Sequence, residues 1–321
     1  MAIYRKKIDF GGVKDNDDER DYPFEAFIGA GDLVIPDEYD VEEEYGKLPV
    51  KDQKSTQACG AYAITYYAMM LNLIETGEVV DLSPRWYYPW TRLNGGGSFT
   101  RDNVLRLVET GATPESYFPS NPITEEHLSS KSGFTDELAQ LAETYQGRVA
   151  TVLSKGATFD EYRVAIFKGH GVVSGYNLSS QGYWANPVRP PKSGEKTTGH
   201  IIYMKGYGTD QHGDYISYKE SSQRGEVRLR RDYFEKGFVH SAWTVIDIPN
   251  KEEAMVTKDN ANGILFALDG KTSHAHYSES LANALNNGNQ DRVNEIIDRY
   301  KTSRVGALID RITVALIEYN K

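Results

Sequence analysis

The chain holds a single cysteine, Cys59, placed where the polar loop Pro49-Val50-Lys51-Asp52-Gln53-Lys54-Ser55-Thr56-Gln57-Ala58 runs into a helical pattern. A thiol reacts as its thiolate, and the first turn of a helix favours that form by stabilising negative charge. The position suits a nucleophile. A buried structural thiol is the competing reading, because a lone cysteine often serves as a small core hydrophobe.

A cysteine nucleophile needs a base. Of the seven histidines, His200 opens the apolar strand His200-Ile201-Ile202-Tyr203-Met204-Lys205, and a second strand pattern follows at Tyr215-Ile216-Ser217-Tyr218-Lys219-Glu220. A hairpin centred on Asp210 sets Gly206 opposite Asp214 and His200 opposite Glu220. Opposed Cβ atoms lie about 4.5–5.5 Å apart, so Glu220 could orient the imidazole. A one-residue slip would undo that pairing, and a half-buried histidine in a structural ion pair is the alternative. His274 and His276 form a pair without a third ligand nearby, which falls short of a metal set. No metal and no cofactor is expected.

These groups must be held by the elements around them. Residues 1–48 carry acidic clusters with little periodicity and read as an extended lead-in able to lie over a cleft. A helix apolar almost all round begins near Gln57 and stops at Thr76-Gly77, which marks it as central and buried. Ser83-Pro84 opens a second helix with a capping hydroxyl, and it runs into the glycine loop Asn94-Gly95-Gly96-Gly97. A third helix spans roughly Arg101 to Thr110. Beyond residue 147 strands dominate, near 148–153, 171–176, 200–205 and 215–220, interrupted by one helix with the capping box Thr158…Glu161. Helices first and strands second indicate an α+β protein in two halves, with a cleft between them. Past Pro249 a polar linker leads to helical stretches over 251–321, the last with an apolar stripe from Val305 to Tyr319.

Composition narrows the function classes. A net charge of −10 argues against nucleic acid, and the one dense basic patch, Arg224, Arg228, Arg230 and Arg231, is diluted by acids and reads as a solvated strand face. With one cysteine no intramolecular disulfide can form. No run reaches the length of a membrane helix and no signal-peptide pattern opens the chain, so a cytoplasmic protein is expected. The 22 tyrosines suit either a wet cleft or a core.

Over roughly residues 20–240 the chain resembles the papain-like cysteine peptidases, in particular their bacterial-type branch without disulfides. The resemblance lies in ordered segments: Gln53 to Cys59, Leu82-Ser83-Pro84, Asn94-Gly95-Gly96, Gly111 with Glu115 and Pro119, Gly199-His200, and Gly206-Tyr207-Gly208. It implies a two-lobed fold over 49–249, with a helical lobe carrying Cys59, an antiparallel barrel-like lobe carrying His200, and a small helical extension at 251–321. Cys59 then resembles the nucleophile, His200 the general base and acid, and Gln53 the side-chain donor of an oxyanion hole. Asn94, Gly95 and Gly96 resemble the wall that binds an extended substrate, with Gly199 beside the histidine. Departures are clear. Gly60 stands where the family has an aromatic residue and Thr56 where it has a cysteine. Glu220 stands where it has the orienting asparagine, and the shielding tryptophan is missing.

The leading expectation is an endopeptidase acting on peptide or protein substrates. Two other functions use the same residues: a thiol amidase or acyltransferase, transglutaminase-like or directed at peptidoglycan, and an inactive papain-like binding or assembly module. The C-terminal helices offer a surface for a protein partner or self-association. No nucleic acid or membrane partner is expected.

Overall fold

A computed structural model describes residues 10–24, 34–147, 149–185, 187–222 and 226–246. The expected C-terminal extension, its Val305–Tyr319 stripe, His274, His276 and Arg224 lie outside the described residues. The chain divides into two units, residues 1–16 with 35–245, and residues 17–34 with 246–321. In the described part of the second, Arg20 forms an ion pair with Asp18.

The first unit is built on one long helix against one antiparallel sheet. Helix α2, Cys59–Thr76, is buried at every residue from Cys59 to Leu73 and ends at Gly77 in the left-handed conformation. Its all-round apolar surface is what permits this, since each large apolar side chain contributes roughly 1.5–3 kcal/mol when fully buried. It packs on β6, Thr197–Asp210, whose residues from His200 to Gly208 are all buried, and α7, Phe159–Lys168, also packs on β6. Strand order is β4 (Val149–Val152), β9 (Val239–Ile246), β5 (Val172–Ser179), β6, β7 (Gly213–Lys219), β8 (Glu226–Arg230). Among the described residues the sheet stays open, so the expected barrel-like lobe is an antiparallel sheet without closure. The fully buried Tyr62, Tyr66, Tyr67, Tyr203 and Tyr218 show that many tyrosines fill this core.

Several expectations held in detail. The Thr158–Glu161 capping box is present at the start of α7, and α4 occupies Thr100–Thr110. Arg228, Arg230 and Arg231 are spent on Asp210, Asp232 and Asp214, as a solvated strand face would be. Others did not hold. The helix expected from Ser83 is a 3-10 turn, Pro84–Trp86, followed by the short α3, Tyr88–Thr91. Pro89 resets the chain there, and Ser83 makes no side-chain cap bond. The stretch read as an extended lead-in carries β1 (Gly12–Val13), β2 (Tyr39–Asp40) and α1 (Val41–Glu44). Strand β2 pairs with β6, and β1 pairs in parallel with β3, Ser98–Phe99.

The hairpin register also differs from expectation. The β6–β7 turn closes on Asp210↔Gly213, with Thr209 rather than Gly206 opposite Asp214, and Gly206 opposite Ser217. The register then shifts at a bulge between Met204 and Gly206, and the ladder ends at Tyr203↔Lys219. Strand β2 lies against this same point, with Asp40 opposite Gly206. Glu220 therefore follows the last paired residue instead of standing opposite His200.

Candidate active site

Cys59 is the first residue of α2, and its Sγ accepts the backbone N–H of Ile201 at 3.4 Å. The thiol thus sits at a helix N-terminus and against the strand residue next to His200, two features that favour a thiolate. His200 is wholly buried, and its Nε2 lies 3.2 Å from Glu220 Oε1. Its Nδ1 has no hydrogen-bond partner among the described residues. Glu220 reaches the histidine despite the altered register, because diagonal neighbours across a ladder remain within reach of long side chains.

Gln53 is buried in the loop before α2. Its Nε2 donates to Thr56 O at 2.7 Å, and its Oε1 accepts the Ser221 hydroxyl at 2.6 Å. One Nε2–H remains for another acceptor. Ser221 also donates its backbone N–H to Glu220 Oε1 at 3.0 Å. One serine thereby joins the carboxylate on His200 to the amide of Gln53. Its adjacency to Glu220 was the available signal, and its role escaped the sequence reading.

The glycine loop turns on itself through Leu93 N–H to Gly97 O at 2.9 Å and Gly96 N–H to Leu93 O at 3.0 Å. Gly95, Gly96 and Gly97 all have positive φ, a conformation that glycine adopts without strain. Asn94 and Gly95 are exposed. Across from them, Gly199 approaches so closely that a Cβ there would lie 1.9 Å from Gly12 O.

That contact belongs to the lead-in, the stretch expected to be able to lie over a cleft. Phe10 stacks on the His200 ring with centroids 4.0 Å apart, and its ring lies 5.2 Å from that of Tyr183. Gly11 O accepts Ser98 N–H at 2.9 Å, and a Cβ on Gly12 would lie 2.7 Å from His200 N. Residues 10–13 therefore form a strap between Gly97-Ser98-Phe99 and Gly199-His200. Asp15 anchors it: Oδ2 accepts Trp243 Nε1–H at 2.8 Å and Arg101 N–H at 3.0 Å, and Asp15 N–H donates to Ser241 Oγ at 2.8 Å. Burial pushes the Asp15 carboxyl up to about 6, against the pull of the Trp243, Arg101 and Thr100 hydrogen bonds, and Asp102 adds to the rise. The Tyr183 hydroxyl lies 2.6 Å from Ser222 Oγ, which sets an aromatic ring beside the segment that follows Glu220.

Among the described residues no cluster of three or more His, Cys, Asp or Glu is arranged to hold a metal, and no helix is long and apolar enough to cross a membrane.

A helical element presenting a lone buried cysteine to a histidine-bearing antiparallel sheet is the arrangement of the papain-like cysteine peptidases. Residues 47–247 match the model of the Peptidase_C39 like family, and the chain belongs to that family. Cathepsin L of the flesh fly Sarcophaga peregrina is 25% identical over 223 residues, which cover 64% of this chain and 62% of that protein. Among solved structures, xylellain, a cysteine protease from Xylella fastidiosa, superposes with a TM-score of 0.61 at 17% identity, covering 77% of this chain and 99% of that one. Digestive procathepsin L 3 of the Tenebrio molitor larval midgut gives a TM-score of 0.57 at 14% identity, over 74% of this chain and 76% of that one. The chain thus spans less than two thirds of the length of the curated relatives it matches.

Proposed function

We propose that the chain hydrolyses internal peptide bonds of proteins through an acyl-enzyme on Cys59, and that its own residues 10–13 cover the site until displaced. The observation that carries this reading is the asymmetry of His200. Glu220 holds Nε2, and Nδ1 is left without a partner in a buried position one residue from the N–H that binds the thiol.

In the first half-reaction Nδ1 takes the Sγ proton and the thiolate attacks the substrate carbonyl. The oxyanion is stabilised by backbone N–H at the start of α2, where the first four donors lack intrahelical partners, and by the remaining Gln53 Nε2–H. The His200 imidazolium then protonates the leaving amine. Water, deprotonated by His200, attacks the thioester and releases the acid, returning the proton to the thiol. Glu220 stabilises the imidazolium through its charge, and Ser221 keeps both carboxylate and Gln53 in place. Asn94, Gly95, Gly96 and Gly199 would line the path that the strap now occupies.

The test is digestion of an unfolded protein by the purified chain, read as new amino termini, beside the Cys59→Ala variant. Wild-type cleavage and a variant reduced to background are expected, with the variant melting within a few degrees of wild type because the side chain lost is small. Undiminished cleavage by Cys59→Ala would remove Cys59 from the reaction. Ammonia release from glutamine without new amino termini would favour an amidase.

A further inference from the structure

We infer that Glu125 is a positioning residue that sets the spacing between the loop bearing Cys59 and the glycine loop, and so the place of the proposed substrate wall relative to the nucleophile. Glu125 opens the short α5, Glu125–Leu128, remote in sequence from both loops. Its Oε2 accepts the backbone N–H of Gln57, two residues before Cys59, at 3.0 Å. Its Oε1 accepts the Tyr88 hydroxyl at 2.6 Å and Arg92 Nε–H at 2.9 Å. The Tyr88 hydroxyl in turn accepts Gly97 N–H at 3.3 Å. One carboxylate therefore grips the entry to the nucleophile helix with one oxygen and the root of the glycine loop with the other.

The packing between the two loops leaves little tolerance. A Cβ on Gly96 would fall 1.9 Å from Gln57 Oε1, so the Gln57 side chain already lies on the glycine backbone. The Arg92–Glu125 ion pair is half-exposed and contributes little by itself. The other two bonds run to the fully buried Tyr88 and to a backbone amide beside the nucleophile, where position governs rate. Burial alone would raise the Glu125 carboxyl, but the bonds from Tyr88, Gln57 and Arg92 outweigh it and hold the group below its ordinary range. The site bears a charged carboxylate with strong donors on both oxygens.

The effect on turnover rests on the peptidase reading, whereas the clamp itself is read without substrate. In the full chain, Glu125→Ala is expected to speed hydrogen exchange at the Gln57 and Gly97 amides by about tenfold or more, and Tyr88→Phe at Gly97 but not Gln57. On an extended peptide, Glu125→Ala is expected to lower kcat/KM by about a hundredfold, the cost of roughly 1 Å of misplacement. Glu125→Gln, which retains an acceptor for Gln57, recovers most of it. Tyr88→Phe raises KM with kcat held within about twofold, because only the substrate wall moves. Alkylation of Cys59 by a small reagent stays within about twofold of wild type throughout, since His200 and Glu220 are untouched. Should Glu125→Ala fail to fold, Tyr88→Phe loses a single hydroxyl and carries the test. Unchanged exchange at both amides, or alkylation falling in step with turnover, overturns the clamp. Exchange that responds as described in a chain without any peptide turnover upholds the clamp and overturns the peptidase reading instead.

Discussion

Strand β6 carries two buried ionisable groups five residues apart, and they are treated in opposite ways. Lys205 is 2% exposed and is ringed by opposite charge: its ammonium contacts Asp40, Glu42 Oε2 at 3.4 Å and Glu226 Oε2 at 3.8 Å. The same carboxylates are shared further, Glu42 with Lys219 at 2.5 Å and with Leu48 N–H at 3.0 Å, Asp40 with the Ser217 hydroxyl at 3.3 Å. His200, in contrast, has one partner on one nitrogen, and both its Nδ1 and Glu220 Oε2 lack hydrogen bonds among the described residues. Burying an unpaired polar atom costs about 1–3 kcal/mol. A protein that surrounds Lys205 with three carboxylates yet leaves two atoms open around His200 keeps hydrogen-bonding capacity there for another molecule. The first cluster ties β2 and α1 to the sheet, and the second is where chemistry is proposed.

The contrast can be broken from either side. Lys205→Met leaves Asp40 without its cation and Glu42 with Lys219 alone, and is expected to destabilise the fold by about 3 kcal/mol in a denaturant titration. Alkylation of Cys59 per folded molecule should not change. Loss of alkylation with little change in stability would reverse the assignment of the two clusters.

Glu220→Ala reverses the pattern, with turnover down about a hundredfold and a melting midpoint shifted by only a few degrees. Glu220→Gln keeps a hydrogen-bond acceptor but removes the charge that favours the imidazolium. Turnover should then fall less than in Glu220→Ala but stay below wild type. Equal turnover in all three proteins would mean that another group orients the base.

The strap gives the smallest effects. In Gly12→Val the added side chain has no room against His200, so the segment should lift and Cys59 should alkylate several-fold faster than in wild type. Docking of this segment carries its own pH dependence. The docked Asp15 carboxyl lies near 6, above its ordinary 3.8, so docking takes up a proton: the stability this adds is fully present below 3.8 and is lost as pH rises through about 6. Protection of Cys59 in wild type, relative to Gly12→Val, should therefore be greater at pH 5 than at pH 7.5, and Asp15→Asn should flatten that difference. Greater protection at the higher pH would invert the sign and refute the anchor.

How much of this was legible in the sequence depended on how local each signal was. Helix α2 was readable because its apolar surface is continuous, and Gly77 ends it where expected. The meeting of His200 and Glu220 was anticipated from an incorrect register, since a bulge at Lys205 leaves no trace in the alternation of residues. Glu125 could not be found, because its partners Gln57, Tyr88 and Arg92 converge only through the fold. The strap had a signal that went unused: Phe10-Gly11-Gly12 places an aromatic ring before two residues without side chains, as a segment wedged between two backbones requires. Ser221 and Tyr183 are ordinary by type and gain meaning only from Gln53 and Ser222 beside them.

The most direct measurement is the rate of Cys59 alkylation between pH 5 and pH 9 in the Gly12→Val chain, with and without Glu220→Ala. If His200 shares its proton with Cys59, the thiol reacts already at mildly acidic pH, and Glu220→Ala removes that acidic reactivity. A single rise in rate centred near the ordinary thiol value of about 8.5, the same in both proteins, would show that Cys59 is an unactivated thiol and would contradict the proposed chemistry.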